Sequence, residues 1–228
     1  MTVHVLAHRG ASAAEPENTI AAFRRAAEMG ADAVELDVRR TVDEVLVVHH
    51  DAHLPDGRAI VATFAAELPA SVATVTDALD ACAGMWVNVE IKNDPRDPDF
   101  DPTDAVADAT IALLADRGEP HRWLISSFRL ETIDRCRALA PEIRTAWLTA
   151  ALPDDVVATL VEHGHLALHP WYGTVTSELI EACHDVGIAV NTWTCDDPDA
   201  MRQLIGWGID GICTNVPDVA LAVLAESR

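Results

Sequence analysis

Short apolar runs rich in β-branched residues alternate along the chain with segments whose apolar positions recur every three to four residues. The first pattern predicts strands and the second predicts amphipathic helices. Regular alternation of the two is typical of a parallel α/β fold. The predicted strands lie near Val3–Ala7, Ala33–Val38, Trp86–Ile91, Trp123–Ser126, Ile143–Trp147, Leu166–Leu168, Ile188–Thr192 and Gly208–Ile212.

A helix is predicted after each strand, which gives eight strand and helix units and the count of a TIM (β/α)8 barrel. The first helix should begin after Asn18 or Thr19 as its N-cap and end at Gly30. We expect one domain over residues 1–228, because barrels of roughly this length fold as single units. A doubly wound open sheet is the alternative, but it usually has fewer strands and a Gly-rich turn after the first. The remaining predicted helices lie near Val75–Cys82, Thr103–Arg117, Leu130–Leu139, Pro153–His163, Ser177–Val186, Pro198–Gly206 and Val216–Glu226.

A ninth apolar run, Val45–His50, follows the second strand too closely for a crossover helix to fit between them. We therefore predict an extra antiparallel hairpin arm. With Asp43 and Glu44 as a two-residue turn, Asp37 would face His50. Because Asp-Glu suits such a turn poorly, a register shifted by one or two residues stays open.

Two of the predicted strands carry charged residues two positions apart within an apolar run. Glu35 and Asp37 share one face of the second strand, as do Glu90 and Lys92 at the third. Burying three carboxylates and an ammonium group is costly unless they are paired or hold a cation. Without a cysteine among them, they favour a hard cation, Mg²⁺ or Ca²⁺, over zinc. The alternative is a structural ion-pair cluster between neighbouring strands.

The ends of the predicted strands carry further residues suited to chemistry. His8 and Arg9 follow the first strand, at the end of a barrel where active sites lie, and they suit acid-base work and phosphate binding. Lys92 is the only lysine in a chain with fifteen arginines, which points to a role that the arginine fork does not fill. The same barrel end would also carry Glu35, Asp37, His50 and Glu90.

Composition excludes several classes of protein. Half of the residues are hydrophobic, which is enough for a full core, and the net charge of −21 argues against binding to nucleic acid or to an anionic membrane. No run approaches the roughly 20 apolar residues of a membrane span, and no basic leader opens the chain. We therefore expect a cytoplasmic protein without membrane insertion. The five cysteines are scattered, without the spacing of a disulfide framework or a zinc site.

A series of short motifs runs in order over nearly the whole chain. They are His-Arg-Gly at 8–10, Pro-Glu-Asn-Thr at 16–19, residues 30–38 around Glu35 and Asp37, residues 47–51, Glu-Ile-Lys at 90–92, Ser-Phe at 127–128, Trp-Thr at 193–194 and residues 208–217. Together they resemble the glycerophosphodiester phosphodiesterase family. A single short motif is weak evidence for a family, whereas eight motifs in the same order are strong evidence.

The resemblance implies a TIM barrel that hydrolyses glycerophosphodiesters to sn-glycerol 3-phosphate and an alcohol, using one divalent cation, Mg²⁺ or Ca²⁺. It further implies that the glycerol 2-hydroxyl attacks and that water opens the resulting cyclic phosphate. By motif match, the metal ligands would be Glu35, Asp37 and Glu90; the general acid and base would be His8 and His50; and the substrate contacts would be Arg9 and Lys92 on the phosphate and Trp193 on the glycerol.

The chain departs from the family pattern after Asp51. Members usually continue into a small inserted region that covers the site, whereas Ala52–Gly57 leads quickly back to the barrel. We therefore predict a shortened insertion, which leaves the preferred headgroup open. Two other functions stay open at this point: a lyase or aldolase that forms a Schiff base on Lys92, and a barrel that binds a phosphorylated ligand without turnover. The acid two residues from Lys92 disfavours the Schiff base, because it should keep the amine protonated.

Overall fold

Eight parallel strands close into a barrel in the computed structural model, which describes residues 3–227. The first strand pairs with both the second and the last, so the sheet has no open edge there. The predicted TIM barrel is therefore confirmed. The barrel strands are β1 His4–His8, β2 Ala33–Arg40, β4 Trp86–Ile91, β5 Trp123–Ser127, β6 Arg144–Thr149, β7 Ala167–Pro170, β8 Ala189–Thr192 and β9 Gly211–Thr214; the arm strand is β3 Leu46–Val48.

Within the described residues, eight α-helices surround the barrel, and each begins and ends within three residues of its predicted bounds. At the first of them, the Thr19 hydroxyl accepts a hydrogen bond from the Ala22 N–H, and Gly30 ends the helix in the left-handed conformation. Among the helices of residues 3–227, none is both long enough and apolar enough to cross a bilayer. The helices are α1 Ile20–Met29, α2 Val75–Ala81, α3 Ala105–Arg117, α4 Leu130–Leu139, α5 Val156–His163, α6 Ser177–His184, α7 Pro198–Gly206 and α8 Pro217–Glu226.

Alternate residues of each strand point into the barrel, and their character changes from one end to the other. Near the amino ends of the strands, small and apolar side chains such as Leu6 and Ala33 pack into a floor. One step further along, the inward positions become polar, and His8 lies level with Glu35. The pattern thus places a polar layer directly on an apolar floor, at the carboxyl ends of the strands.

The hairpin arm forms, but its predicted register is wrong by one residue. Arg39 pairs with Val47, and a three-residue loop replaces the predicted two-residue turn. The last loop residue, Glu44, has a φ of 67°, which is the left-handed position of a three-residue hairpin loop. His50 consequently lies beyond the paired part of the arm, and not opposite Asp37.

Gly10 follows β1 in a turn that requires glycine. Its φ is 82°, and an added Cβ would lie 2.6 Å from the carbonyl carbon of Ala22. Gly10→Ala is therefore expected to lower the free energy of unfolding by about 3 kcal/mol, measured by urea denaturation. Gly30→Ala is the matched control, because Gly30 has a φ of 87° with open space around it, and the expected loss is about 1 kcal/mol. Equal losses would contradict a role for the contact with Ala22.

Candidate active site

Three carboxylates meet at the centre of the polar layer. Glu35 and Asp37 come from β2, and Glu90 comes from β4, where it lies beside Asp37 in the strand register. All three residues are buried, and one oxygen from each lies within 4.8 Å of the other two. The predicted convergence of these side chains is therefore present in the fold.

Two cationic side chains contact this carboxylate cluster. Lys92 Nζ lies 2.9 Å from Asp37 Oδ1 and also contacts the Glu90 carboxylate. Arg9 Nε lies 3.3 Å from Asp37 Oδ2, while the Arg9 backbone N–H donates a hydrogen bond of 2.9 Å to Glu35 Oε2. If all three carboxylates are ionised, they sum with Lys92 and Arg9 to one net negative charge.

The two carboxyl groups on β2 have pKa values shifted in opposite directions, and the pKa of Lys92 is raised. Burial raises the pKa of Glu35 well above its usual range, and the nearby Asp37 and Glu90 carboxylates add to the shift. Burial also opposes charge on Asp37, but Lys92 and Arg9 outweigh it and lower the pKa of that carboxyl. Burial opposes the Lys92 ammonium, yet Glu90 and Asp37 raise its pKa. A protonated amine is not a nucleophile, which argues against a Schiff base on Lys92.

One buried carboxylate oxygen of the cluster lacks a hydrogen-bond partner within residues 3–227, which fits the binding of a hard cation by these residues. Glu35 Oε1 is buried and, among the residues that the structure describes, has no hydrogen-bond partner. A buried carboxylate oxygen without a partner is costly, and coordination to a cation would remove that cost. Three carboxylates with no sulfur ligand suit Mg²⁺ or Ca²⁺.

His8 is held by a chain of hydrogen bonds that fixes its tautomer. Its Nδ1 lies 2.7 Å from Asn215 Oδ1, and Asn215 Nδ2 in turn donates to Asp196 Oδ2 at 2.6 Å. Since an amide oxygen only accepts, Nδ1 of His8 carries the proton and Nε2 keeps its lone pair. Nε2 lies 4.0 Å from Glu35 Oε2, and burial together with Arg9 lowers the pKa of this imidazole.

His50 has a different partner and more contact with solvent. Its Nδ1 lies 2.8 Å from Asp51 Oδ1, and its side chain is 37% exposed. Arg39, which is buried, donates two hydrogen bonds to the His50 carbonyl and also pairs with Asp99 on the loop after β4. The neighbouring His49 lines a separate cavity on the other side of the arm.

Two connected spaces open above the polar layer. The inner one is a cavity of about 250 Å³, and the outer one is a groove of about 920 Å³ bounded by the loops after β4 and β5. His50, Glu90, Lys92 and Phe128 line both, so they form the boundary between the two spaces. His8, Arg9, Glu35, Asn88, His169 and Trp193 line the inner cavity alone.

Hydrogen bonds fix the positions of Trp193 and His169 in the inner cavity. The Trp193 indole N–H donates to the His169 carbonyl at 2.8 Å, and the Trp193 ring meets Phe128 edge to face with centroids 5.4 Å apart. Burial lowers the pKa of His169 to about 3, so this imidazole is neutral and accepts a hydrogen bond from Asn191. His169 therefore shapes the cavity without carrying charge.

Sequence patterns missed several polar residues that hold the site together. Asn18 is not the helix cap; its side chain donates to Asp37 Oδ2 at 2.8 Å, from a left-handed backbone with a φ of 57°. Asp196 and Asn215, which orient His8, and Asp51, which orients His50, were not predicted to act there. Asp51 does lie in the motif at 47–51, and Asn215 lies in the motif at 208–217. Membership of these motifs was the one sequence feature that marked the two residues.

Known proteins resemble this chain over nearly its full length. The model of the glycerophosphoryl diester phosphodiesterase family matches residues 8–219. A glycerophosphodiester phosphodiesterase of Caldanaerobacter subterraneus subsp. tengcongensis is 32% identical, with 99% of each chain covered. Among solved structures, a glycerophosphodiester phosphodiesterase from Thermotoga maritima is 26% identical, with a TM-score of 0.80 and coverage of 100% of this chain and 99% of that one. An Oleispira antarctica phosphodiesterase, solved in complex with the product sn-glycerol-3-phosphate, shares the fold with a TM-score of 0.89 and 24% identity, covering 97% of this chain and 96% of that one.

Proposed function

Because the chain belongs to the glycerophosphoryl diester phosphodiesterase family, we propose that its barrel mouth hydrolyses glycerophosphodiesters to sn-glycerol 3-phosphate and an alcohol with one divalent cation. The observation that carries the proposal is the charge of the carboxylate cluster. With its three carboxylates ionised, the cluster sums with Lys92 and Arg9 to minus one, and a bound divalent cation would change that sum to plus one, which suits a phosphodiester anion. Without that cation, a chain with a net charge of −21 would repel such a substrate.

The cation would be held by Glu35, Asp37 and Glu90, whose geometry supports Mg²⁺ or Ca²⁺. When bound, it would supply electrostatic stabilisation to the charge that develops on the phosphoryl oxygens. Arg9 and Lys92 lie beside the same carboxylates and line the same cavity, so they would bind the phosphate from the protein side.

The two histidines would divide the proton transfers between them. His8 lines only the inner cavity, and its Nε2 lone pair makes it the general base for the attacking glycerol 2-hydroxyl. His50 lies at the boundary with the outer groove, where a leaving alcohol would depart, and its Nδ1 contacts the Asp51 carboxylate, which would hold the ring in place. We therefore assign His50 as the general acid of this first step. His50 would then take a proton from the water that opens the cyclic phosphate, and His8 would return its proton to the glycerol 2-oxygen, which gives sn-glycerol 3-phosphate.

The two spaces would then hold different parts of the substrate. The inner cavity would take the glycerol phosphate moiety, with the Trp193 ring against the glycerol carbons. The sn-glycerol-3-phosphate bound by the Oleispira antarctica phosphodiesterase is consistent with this product. The larger outer groove would take the alcohol, which leaves room for headgroups of different size.

Release of glycerol 3-phosphate tests the proposed reaction. The purified protein is expected to form equal amounts of glycerol 3-phosphate and alcohol from small glycerophosphodiesters in Mg²⁺ or Ca²⁺, measured with a coupled dehydrogenase assay. The analogue without the 2-hydroxyl is the control substrate and should not be cleaved, because it has no internal nucleophile. Binding of the diesters without any release, in either cation, would instead identify a barrel that binds its ligand without turnover.

A further inference from the structure

Away from the carboxylate cluster, a second group of metal-ligating side chains lies between α4 and the connection from α5 to β7. We propose that Asp134, His163 and His165 bind a divalent transition-metal ion of the zinc class. Asp134 lies on α4, His163 is the last residue of α5, and His165 follows Gly164 before β7. This site is independent of the proposed hydrolysis.

The spacing of the ligand atoms suits a small ion. His163 Nδ1 lies 2.9 Å from Asp134 Oδ1, and His165 Nε2 lies 3.1 Å from the same oxygen. All three ligand atoms lie within 4.8 Å of one another. Ligands about 2.0–2.1 Å from a tetrahedral ion are separated by about 3.3 Å, so small movements would close this triad on a metal.

The backbone and one neighbouring hydroxyl position both imidazoles. Gly164 has a φ of 73°, which turns the chain sharply so that the two rings stack with centroids 6.1 Å apart. The His165 side chain is fully buried, and its Nδ1 lies 2.8 Å from the Thr145 hydroxyl. If Nδ1 donates to Thr145, the Nε2 lone pair faces the Asp134 oxygen, an arrangement of two acceptors that a metal ion would satisfy.

Two imidazoles and one carboxylate select the class of ion. This donor set suits Zn²⁺ and its neighbours among the transition metals, whereas Mg²⁺ and Ca²⁺ prefer oxygen ligands alone. The side chains of Asp134 and His163 are 36% and 33% exposed, so an ion can enter from solvent and keep a water as its fourth ligand. A bound ion would fasten α4 to the α5–β7 connection.

The competing arrangement has hydrogen bonds only, with Thr145 donating to His165 and Nε2–H donating to Asp134. The two arrangements differ in zinc binding, which titration calorimetry measures. In excess Mg²⁺ and on a Glu35→Gln background, which weakens zinc binding at the carboxylate cluster, one equivalent of Zn²⁺ is expected to bind. His163→Gln should weaken that binding at least tenfold.

The matched control is His184→Gln. His184 Nε2 lies 2.7 Å from Asp210 Oδ2, which makes a histidine–aspartate pair outside the proposed triad. Zinc affinity should be unchanged in this variant. An equal loss in His163→Gln and His184→Gln, or no zinc equivalent on the Glu35→Gln background, would overturn the proposal.

Thermal unfolding gives a second readout, in which each variant is compared with itself in the presence and absence of the metal. At a hundredfold excess over its dissociation constant, Zn²⁺ should raise the Tm by at least about 5 °C, because it binds the folded state. Mg²⁺ should not reproduce this shift on the Glu35→Gln background. The shift should disappear in Asp134→Asn, and its persistence there would contradict the assigned ligands.

Discussion

Replacing His50 with alanine is expected to lower kcat by about 10²-fold or more on natural glycerophosphodiesters, because the leaving alcohol then departs without a proton from a positioned acid. His50 lies between the inner cavity and the outer groove, so the expected loss should depend on the leaving group. With a nitrophenolate leaving group, which needs no proton to depart, the His50→Ala variant should recover most of the lost rate of nitrophenolate release in the first turnover. His8→Ala should lose a similar factor on both substrates, since the attacking hydroxyl still needs a base.

His49→Ala is the control for this pair of variants. His49 is adjacent to His50 in sequence, but it lines a different cavity and its Nδ1 contacts the Asp51 carbonyl. Its kcat should stay within a small factor of the unmodified protein. If both histidine variants recover equally on the nitrophenyl substrate, the assignment of His8 as base and His50 as acid is wrong. If neither variant loses activity, the two-histidine mechanism itself fails.

Removing divalent cations is expected to reduce hydrolysis below about 1% of its starting rate, and Mg²⁺ or Ca²⁺ should restore it. The physical reason is the carboxylate cluster: without a cation, its net negative charge repels the phosphodiester. Glu35→Gln should need a much higher cation concentration for half-maximal activity, because it removes one charged ligand. The measurement is the initial rate of glycerol 3-phosphate release against free cation concentration after treatment with EDTA and desalting.

Asp108→Asn provides the matched control for Glu35→Gln. Asp108 is a surface carboxylate that pairs with Arg135 on the neighbouring helix and lines neither the inner cavity nor the outer groove. Its cation dependence should equal that of the unmodified protein. Full activity after thorough chelation would refute the metal role, whereas equal shifts in both carboxylate variants would point to a nonspecific effect of charge.

The barrel could be predicted because each strand and each helix has a regular spacing of apolar residues that is visible within a short stretch of sequence. The α4 and α7 bounds agree with the predicted ones at both ends, and at α7 the start is marked by the Asp197 cap followed by Pro198. The hairpin register could not be predicted in the same way. The register depends on Glu44, which adopts a left-handed backbone conformation. Because glutamate rarely does so, the sequence does not predict a three-residue loop there.

The charged strand residues of the site could likewise be predicted, because period-two spacing places Glu35 and Asp37 on one face. The groups that orient them could not. Asn18 reaches Asp37 from nineteen residues away, and Asn215 reaches His8 across 207 residues. Such long-range contacts between single polar residues have no period, so they become visible only once the barrel brings its strand ends together.

The single lysine gives the protein an unusual chemical handle. Lys92 is the only side-chain amine in the sequence, and the fold keeps it largely covered, protonated and between two carboxylates. Amine-reactive reagents should therefore modify this side chain slowly while the barrel mouth is intact and rapidly after unfolding. The rate of lysine labelling would then report the opening of this one site, without an engineered probe.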